Sequence, residues 1–421
     1  MSDMHAEARD IFHHAVASCS IPAAFDRRVR FGEMSLDRYQ RIYAVAVGKA
    51  ALPMLDTLIA RLPRPLSGGI CCAPVLPAER RPGVDYYTGG HPLPNLDSFA
   101  SAHAALELLR ATGPEDFVFF LISGGGSAMF ELPYDSRISF ADTQVLYQAL
   151  VGSGATIAEI NVVRKHFSAV KGGRLAAAAP HAGRFTLLVS DVAPRFLDAL
   201  ASGPTLRDSS TVADCREILH RYHLAERLTP ALLAFFEDPN LPETPKLAEP
   251  PVETLLSSED LIDAARAHAQ TLGYEVVVDN SCDDWDYAEA ARYLLGRFAE
   301  LRGRHRKLCL LSGGEVTVRL GREHGAGGRN QQFALACALD LAHHEPMAVL
   351  SAGSDGIDGN SVAAGAIADA TTVNRAKSLG MDAAAALERF DAYPLFSALG
   401  DTLVTGPTHN NLRDLRIVLS R

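Results

Sequence analysis

Small, polar and ionisable residues recur in this 421-residue chain wherever an apolar run stops. Gly48-Lys49 follows the run 42–47, Ser123-Gly124-Gly125-Gly126-Ser127 follows 117–122, and Ser190-Asp191 follows 185–189. Farther on, Ser312-Gly313-Gly314-Glu315 follows 308–311, and Ser351 to Gly359, carrying Asp355 and Asp358, follows 347–350. The run at 403–404 leads into Thr405-Gly406-Pro407-Thr408. Glycines without Cβ atoms let backbone N–H groups close on a phosphate, above all ahead of a helix. A lone glycine triplet is also an ordinary tight turn; placed after a buried strand, Ser123–Gly126 with Ser127 becomes a candidate phosphate loop.

The ionisable residues around these loops suit phosphoryl transfer. Lys49 is a cation placed to clamp a phosphate or a substrate carboxylate. Arg329 lies in the glycine-rich stretch 325–329, from which a guanidinium can swing onto a migrating phosphoryl group and spread its charge. Asp191, Glu315, Asp355 and Asp358 stand at strand ends. Mg²⁺ takes one or two carboxylates with phosphate oxygens and water, and a carboxylate can instead accept the proton of an attacking hydroxyl. The sequence leaves both roles open. His91, Asn161, Arg164, Lys165 and Lys171 are further residues that could line a ligand site.

Several familiar signatures are missing. Gly48-Lys49 is followed by Ala50 and lacks the upstream glycine of a Walker A loop, and Met129 stands where the last glycine of a G-x-G-x-x-G fingerprint would be. No protein-kinase catalytic loop, zinc-protease helix or hydrolase nucleophile elbow is present.

The elements that must position these loops alternate. Near-continuous apolar runs such as 117–122 and 185–190 predict strands buried on both faces, as in a parallel sheet flanked by helices. Helices are predicted over 49–62, from Asp97 or Ser98 to Arg110, and over 258–272, 283–301 and 330–342; strands over 42–47, 68–73, 275–279, 307–311, 315–320, 347–351, 402–405 and 416–419. Prolines 239, 242, 245, 250 and 251 mark an extended linker. The expected layout is therefore an N-terminal Rossmann-like α/β domain (1–238), a proline-rich linker (239–251) and a smaller α/β C-terminal domain (252–421). Ligands of open α/β sheets bind beyond the carboxyl ends of the strands, so the expected active site is the cleft between the domains.

The net charge of -10 without a basic stripe argues against nucleic acid or an anionic membrane as partner. The start of the chain lacks a signal-peptide pattern and no apolar run has membrane-spanning length. Seven cysteines (19, 71, 72, 215, 282, 309, 337) without paired spacing read as reduced thiols, and the predicted location is cytoplasmic. The partners are small molecules, and a homo-oligomer is compatible with the sequence.

Taken together, the loops closely resemble the class II glycerate 2-kinases, whose C-terminal part is known as the MOFRL domain. The resemblance is carried by AVGKAALPM (46–54), GGHPLPN (89–95), LISGGGSAMFELP (121–133), EINVVRKHFSAVKGGRLA (159–176), LLVSDV (187–192) and ASGPTLRD (201–208). It continues through LSGGEVTV (311–318), GGRNQQFALA (327–336), SAGSDGIDGNSVAAGA (351–366) and VTGPTHNNLRDLRI (404–417). It implies a transfer of the ATP γ-phosphoryl group to the 2-hydroxyl of D-glycerate, with Mg²⁺. The family's important lysine falls on Lys49, its arginine on Arg329, its aspartate on Asp191 and its glutamate on Glu315. Ser361-Val362 departs from the Thr-Asp common in the family, which puts that loop's role in question. Lys49, Arg329 and Asp191 are thus the expected catalytic residues; Lys49, Arg164 and Arg329 would bind substrate; Asp191, Glu315 and Asp355 would hold the metal.

Two other readings compete. An NAD(P)H-dependent hydroxypyruvate reductase would want the dinucleotide fingerprint that is missing here. A two-lobed sugar-acid binding protein would have little use for so many strand-end carboxylates.

Overall fold

The computed structural model describes residues 2–192, 194–248, 251–303, 307–321, 323–341, 347–408 and 410–421. The chain forms two α/β units, one of residues 24–255 and the other combining 1–23 with 256–421.

The sheet of the 24–255 unit comprises β1 (Arg41–Val47), β2 (Gly68–Ala73), β3 (Val84–Thr88), β4 (Asp116–Ser123), β5 (Gly183–Val189) and β6 (Val252–Leu256), in the order β3-β2-β1-β4-β5-β6. β1 lies parallel to β2 and β4, β3 parallel to β2, and β5 parallel to β4. Every residue of β4 is buried, as its unbroken apolar run requires of a strand covered on both faces. On one face Ala102, Ala105, Leu106 and Leu109 of the helix Leu96–Arg110 pack with Val45, Val118 and Phe120. That helix begins earlier than predicted, because Asn95 caps it by accepting from Ser98 N at 2.9 Å. The chain leaves β1 toward β2 and later returns to β4 on the other side, so the β1/β4 boundary is the topological switch point of the sheet.

The proline-rich stretch is extended but it is a strap rather than a free linker. Leu241 and Thr244 are buried, Arg174 Nη2 donates to Pro242 O at 3.1 Å, and Thr186 N donates to Pro251 O at 2.9 Å. Proline removes N–H donors but keeps its carbonyl, so such a segment docks by accepting hydrogen bonds. Pro250, with Glu249, lies outside the described residues. The units divide at Leu255/Leu256, beyond the expected linker, with β6 in the first sheet.

The first residues also depart from the expected layout. The helix Ser2–Ser18 belongs with 256–421, because Ala8, Ile11, Phe12 and Ala15 are buried there and it runs along the helix Ser258–Thr271. His268 Nε2 lies 2.7 Å from Asp10 Oδ2, and the His14 and His268 rings stack at 4.0 Å.

The second sheet comprises β7 (Glu275–Val278), β8 (Leu308–Gly314), β9 (Ala348–Gly353), β10 (Gly365–Asp369), β11 (Thr402–Leu403) and β12 (Asp414–Ser420), in the order β11-β10-β9-β12-β8-β7. It is mixed: β12 is antiparallel to β8 and β9, β10 is antiparallel to β9 and β11, and β7 is parallel to β8. Leu294 and Phe298 of the helix Tyr287–Arg302 and Phe333 of Arg329–Leu341 pack on Leu308, Leu310, Val349 and Val418. The predicted end of the latter helix, Ala342, lies outside the described residues. The strand expected at 315–320 reduces to one bridge, Thr317 with Asp286, because its polar alternation has no neighbouring strand to complete. Among the described residues no helix is long and apolar enough to cross a membrane.

Candidate active site

Register places the first group of loops. Val47 pairs with Ile122 and Ser123 with Val189, so Gly48-Lys49, 123–127 and Ser190-Asp191 all leave the same sheet edge, on and beside the switch point. Lys49 N donates to Gly124 O at 2.9 Å. A Cβ on Gly124 would stand 1.7 Å from Asp191 Oδ2, and one on Gly125 would stand 3.2 Å from Lys49 Cγ. The glycines therefore admit a carboxylate on one side and an exposed lysine on the other. Gly125, at φ +81°, adopts a conformation that suits glycine and turns the chain into the helical turn Gly126–Met129. The first N–H groups of such a turn have no partner inside it and point outward toward an anion.

The two serines of the loop behave differently from a pair of phosphate ligands. Ser123 Oγ donates to Val47 O at 3.1 Å and accepts from Ala50 N at 3.0 Å, riveting β4 to β1. Ser127 Oγ shares a hydrogen bond of 2.8 Å with Ser202 Oγ, which donates to Asn161 Oδ1 at 2.8 Å.

Beneath the loop lies a buried network that sequence reasoning did not find. Tyr147 OH donates to Ser127 O at 2.7 Å and also meets Glu131 Oε2, which accepts from Lys171 Nζ at 2.7 Å. Burial, with the Glu131 charge added, raises the Tyr147 phenol well above its ordinary value. Burial pulls Lys171 down against the opposing pull of Glu131. The signal was present: Glu131 interrupts the apolar stretch 128–132 directly after the loop. Lys171 is thus a buried partner of Glu131, and Lys165 is likewise bound, at 2.9 Å to Asp198 and 3.1 Å to Asp208. Arg164 stacks on the Tyr147 ring at 4.6 Å, is only 7% exposed, and its Nε has no hydrogen-bond partner among the described residues. The His91 imidazole is held below its ordinary pKa by partial burial and then by the charges of Lys49 and Arg164. Lys49 and Arg164 therefore both stand close enough to His91 to act on it.

In the other unit, Arg329 opens the helix Arg329–Leu341 and is clamped rather than swinging on a loop. Its Nε lies 2.6 Å from Asp414 Oδ2, and its Nη2 lies 3.0 Å from Asp414 Oδ1 and 2.9 Å from Glu315 Oε1. Burial opposes its charge, but Asp414 and then Glu315 outweigh that and raise the guanidinium pKa. Glu315, expected as a metal ligand, is a counter-ion of Arg329 here; Asp414, in the quoted segment 404–417, had been given no role. Asp283 supports the same loop, accepting from Glu315 N at 3.0 Å and from Arg413 Nη1 and Nη2 at 2.7 Å each.

Asp358 anchors the helix start, accepting from Asn330 N at 3.0 Å and Gln331 N at 2.9 Å. Burial pushes its carboxyl up to about 6 against the pull of these amides. Asp355 Oδ1 accepts from Ile357 N at 3.1 Å, an Asx turn that sets the 355–359 loop. Val362 is exposed, and neighbouring Ser361 Oγ accepts from Gln331 Nε2 at 2.8 Å, so the loop is held without an aspartate at 362. Among the described residues no group of three or more His, Cys, Asp or Glu could hold a metal by itself. Asp191, a carboxylate against the glycine loop, is compatible with Mg²⁺, which takes one or two carboxylates with phosphate oxygens and water.

Two α/β units, one with a glycine loop at its switch point, define an α/β class of protein whose ligands bind beyond the carboxyl ends of the strands. Residues 7–237 match a family described as a domain of unknown function, DUF4147, and residues 308–414 match the MOFRL family. The D-glycerate 2-kinase of Thermotoga maritima is 36% identical over 412 residues, 95% of each chain. A protein of Agrobacterium vitis, 36% identical over 90% of this chain and 87% of its own, carries the provisional name hydroxypyruvate reductase. The crystal structure of a Thermotoga maritima glycerate kinase superposes over 100% of both chains with a TM-score of 0.90 at 33% identity. The chain belongs to the class II glycerate kinase family.

Proposed function

We propose that the protein is a glycerate 2-kinase that transfers the γ-phosphoryl group of ATP to the 2-hydroxyl of D-glycerate, giving 2-phosphoglycerate and ADP. The observation that carries this reading is the placement of Asp191 and Lys49 on either side of the loop 124–126, at the switch point of a parallel sheet. Backbone N–H groups of 124–127 receive phosphate oxygens, with Ser127 steadied by Ser202 and Tyr147. Lys49 holds phosphate charge, and Arg164, whose guanidinium lies over the Tyr147 ring, takes the substrate carboxylate. Arg329, kept charged by Asp414 and Glu315, stabilises charge on the transferring group. Mg²⁺, when bound, neutralises the phosphate oxygens; Asp191 is the residue proposed to hold it, with Asp355 as a second candidate. The proposed setting is the cytoplasm, where seven buried thiols outside any disulfide stay reduced.

The test is product identification. Purified protein with ATP, Mg²⁺ and D-glycerate should release ADP and 2-phosphoglycerate, while hydroxypyruvate should cause no NADH oxidation. Formation of 3-phosphoglycerate would overturn the regiochemistry, and NADH oxidation without ADP release would replace the kinase reading with the reductase.

A further inference from the structure

We propose that a pocket contained in the 256–421 unit is the seat of the nucleoside end of ATP; the proposal rests on the kinase reading and adds where the donor's base and ribose bind. The pocket has a volume of about 470 Å³, within the ~300–1,000 Å³ range of small-molecule sites and far larger than glycerate needs. It is walled by Val318, Leu320, Ile357 and Phe390, with Arg329, Asp355 and Asp358 at its polar side.

Three observations favour a nucleoside. Leu320 and Ile357 are 52% and 49% exposed, so two large apolar side chains stand bare at the pocket, as walls for a flat apolar ligand do. Phe390 holds φ +52°, a conformation unusual for a bulky residue, and its ring is braced edge-on by Tyr287 at 6.1 Å. An aromatic face fixed in this way offers a stacking surface for a heteroaromatic base. Charge completes the argument. Arg329 is already matched by Asp414 and Glu315, while Asp355 and Asp358 add carboxylates. A neutral base suits the apolar wall beside these charges, ribose hydroxyls can donate to Asp355, and Arg329 stands at the polar side for the phosphate end.

The experiment uses the full chain, adenosine as the probe and Ile357→Asp and Leu320→Asp as separate variants. Both sites are half-exposed, so unaltered melting curves should confirm the fold. Titration calorimetry should show adenosine binding weakened about tenfold or more in each variant, the loss of roughly 1.4 kcal/mol of contact. Steady-state kinetics should show KM for ATP raised by about as much, with KM for glycerate within twofold. A shift in either adenosine affinity or KM for ATP supports the assignment; both within twofold of the parent, in both folded variants, overturn it. Failure of the kinase reading looks different: the parent protein then makes no phosphoglycerate, and the adenosine titration decides the pocket alone.

Discussion

Arg329 and Asp414 form a two-point ion pair, with Nε 2.6 Å from Oδ2 and Nη2 3.0 Å from Oδ1. The pair fixes the plane of the guanidinium as well as its position, and Glu315 holds the same nitrogen edge at 2.9 Å. Asp414→Asn keeps the shape but removes the charge. It is expected to lower kcat on ATP and glycerate about 10- to 100-fold with little change in either KM, as for a group acting on the transition state. Arg329→Lys should not restore turnover, since an ammonium cannot make the two-point pair. Near-parental kcat in Asp414→Asn would show that the orientation of Arg329 is unimportant.

Lys49 touches the glycine loop through its methylenes and leaves its head exposed. Lys49→Ala is expected to reduce kcat/KM about 10³-fold while leaving the melting temperature within a degree or two. Lys49→Arg should recover part of that loss. Coupled-assay kinetics beside thermal melts decide the point, and an active alanine variant would remove Lys49 from the mechanism.

Tyr147 reaches the loop from below, through Ser127 O at 2.7 Å. Tyr147→Phe keeps the ring that supports Arg164 but deletes the hydroxyl. The expected result is a loss of about 1–3 kcal/mol of stability, from the Ser127 carbonyl left without its Tyr147 donor and a Glu131 left to Lys171, and a rise in KM for ATP. Denaturant unfolding and kinetics on one preparation read both, and a variant changed in stability alone would confine Tyr147 to packing.

Asp208 supplies a pH test of stability. Burial raises its pKa, but Lys165 at 3.1 Å and the Ser210 N–H and hydroxyl more than reverse this, and the folded-state value lies below the model-peptide one. A depressed carboxylate contributes stability above its unfolded pKa, near 3.9, and loses it as pH falls through the folded value. Asp208→Asn should therefore cost about 2–3 kcal/mol at pH 7, and the gap to the parent should close below about pH 4. A gap still as large well below about pH 4 as at pH 7 would place the cost in packing.

Much of the first sheet was legible because β1, β4 and β5 are apolar runs that stop at glycine or serine and β2 is one that stops at Pro74, and burial on both faces leaves that mark directly. The loops that follow them were found for the same reason. Partnerships between distant residues were not legible. Nothing in the spacing of Glu131, Tyr147 and Lys171 announces that they meet, or that Arg329 is met by Asp414, 85 positions away. β10 was missed because Gly-Ala-Ile-Ala-Asp offers a single β-branched side chain among small residues and no aromatic one. The mixed direction of the second sheet was equally hidden, since an antiparallel strand covered on both faces reads like a parallel one. The helix Ser2–Ser18 was assigned to the wrong unit because sequence adjacency is the only guide when an element returns to the far end of its chain.

The position of β12 has a consequence for biosynthesis. Asp414–Ser420 is made after every other strand of its sheet, yet it inserts between β8 and β9. Until it arrives, those two strands have no partner to bridge them, and Asp414 cannot yet receive Arg329. The contiguous 24–255 unit can close while translation continues, but the other must wait for β12 with the helix Ser2–Ser18 already made. A nascent chain stalled before Asp414 would thus carry a finished glycine loop and an open second sheet, and deleting Asp414–Ser420 should be far more damaging than its separation in sequence from the glycine loop suggests.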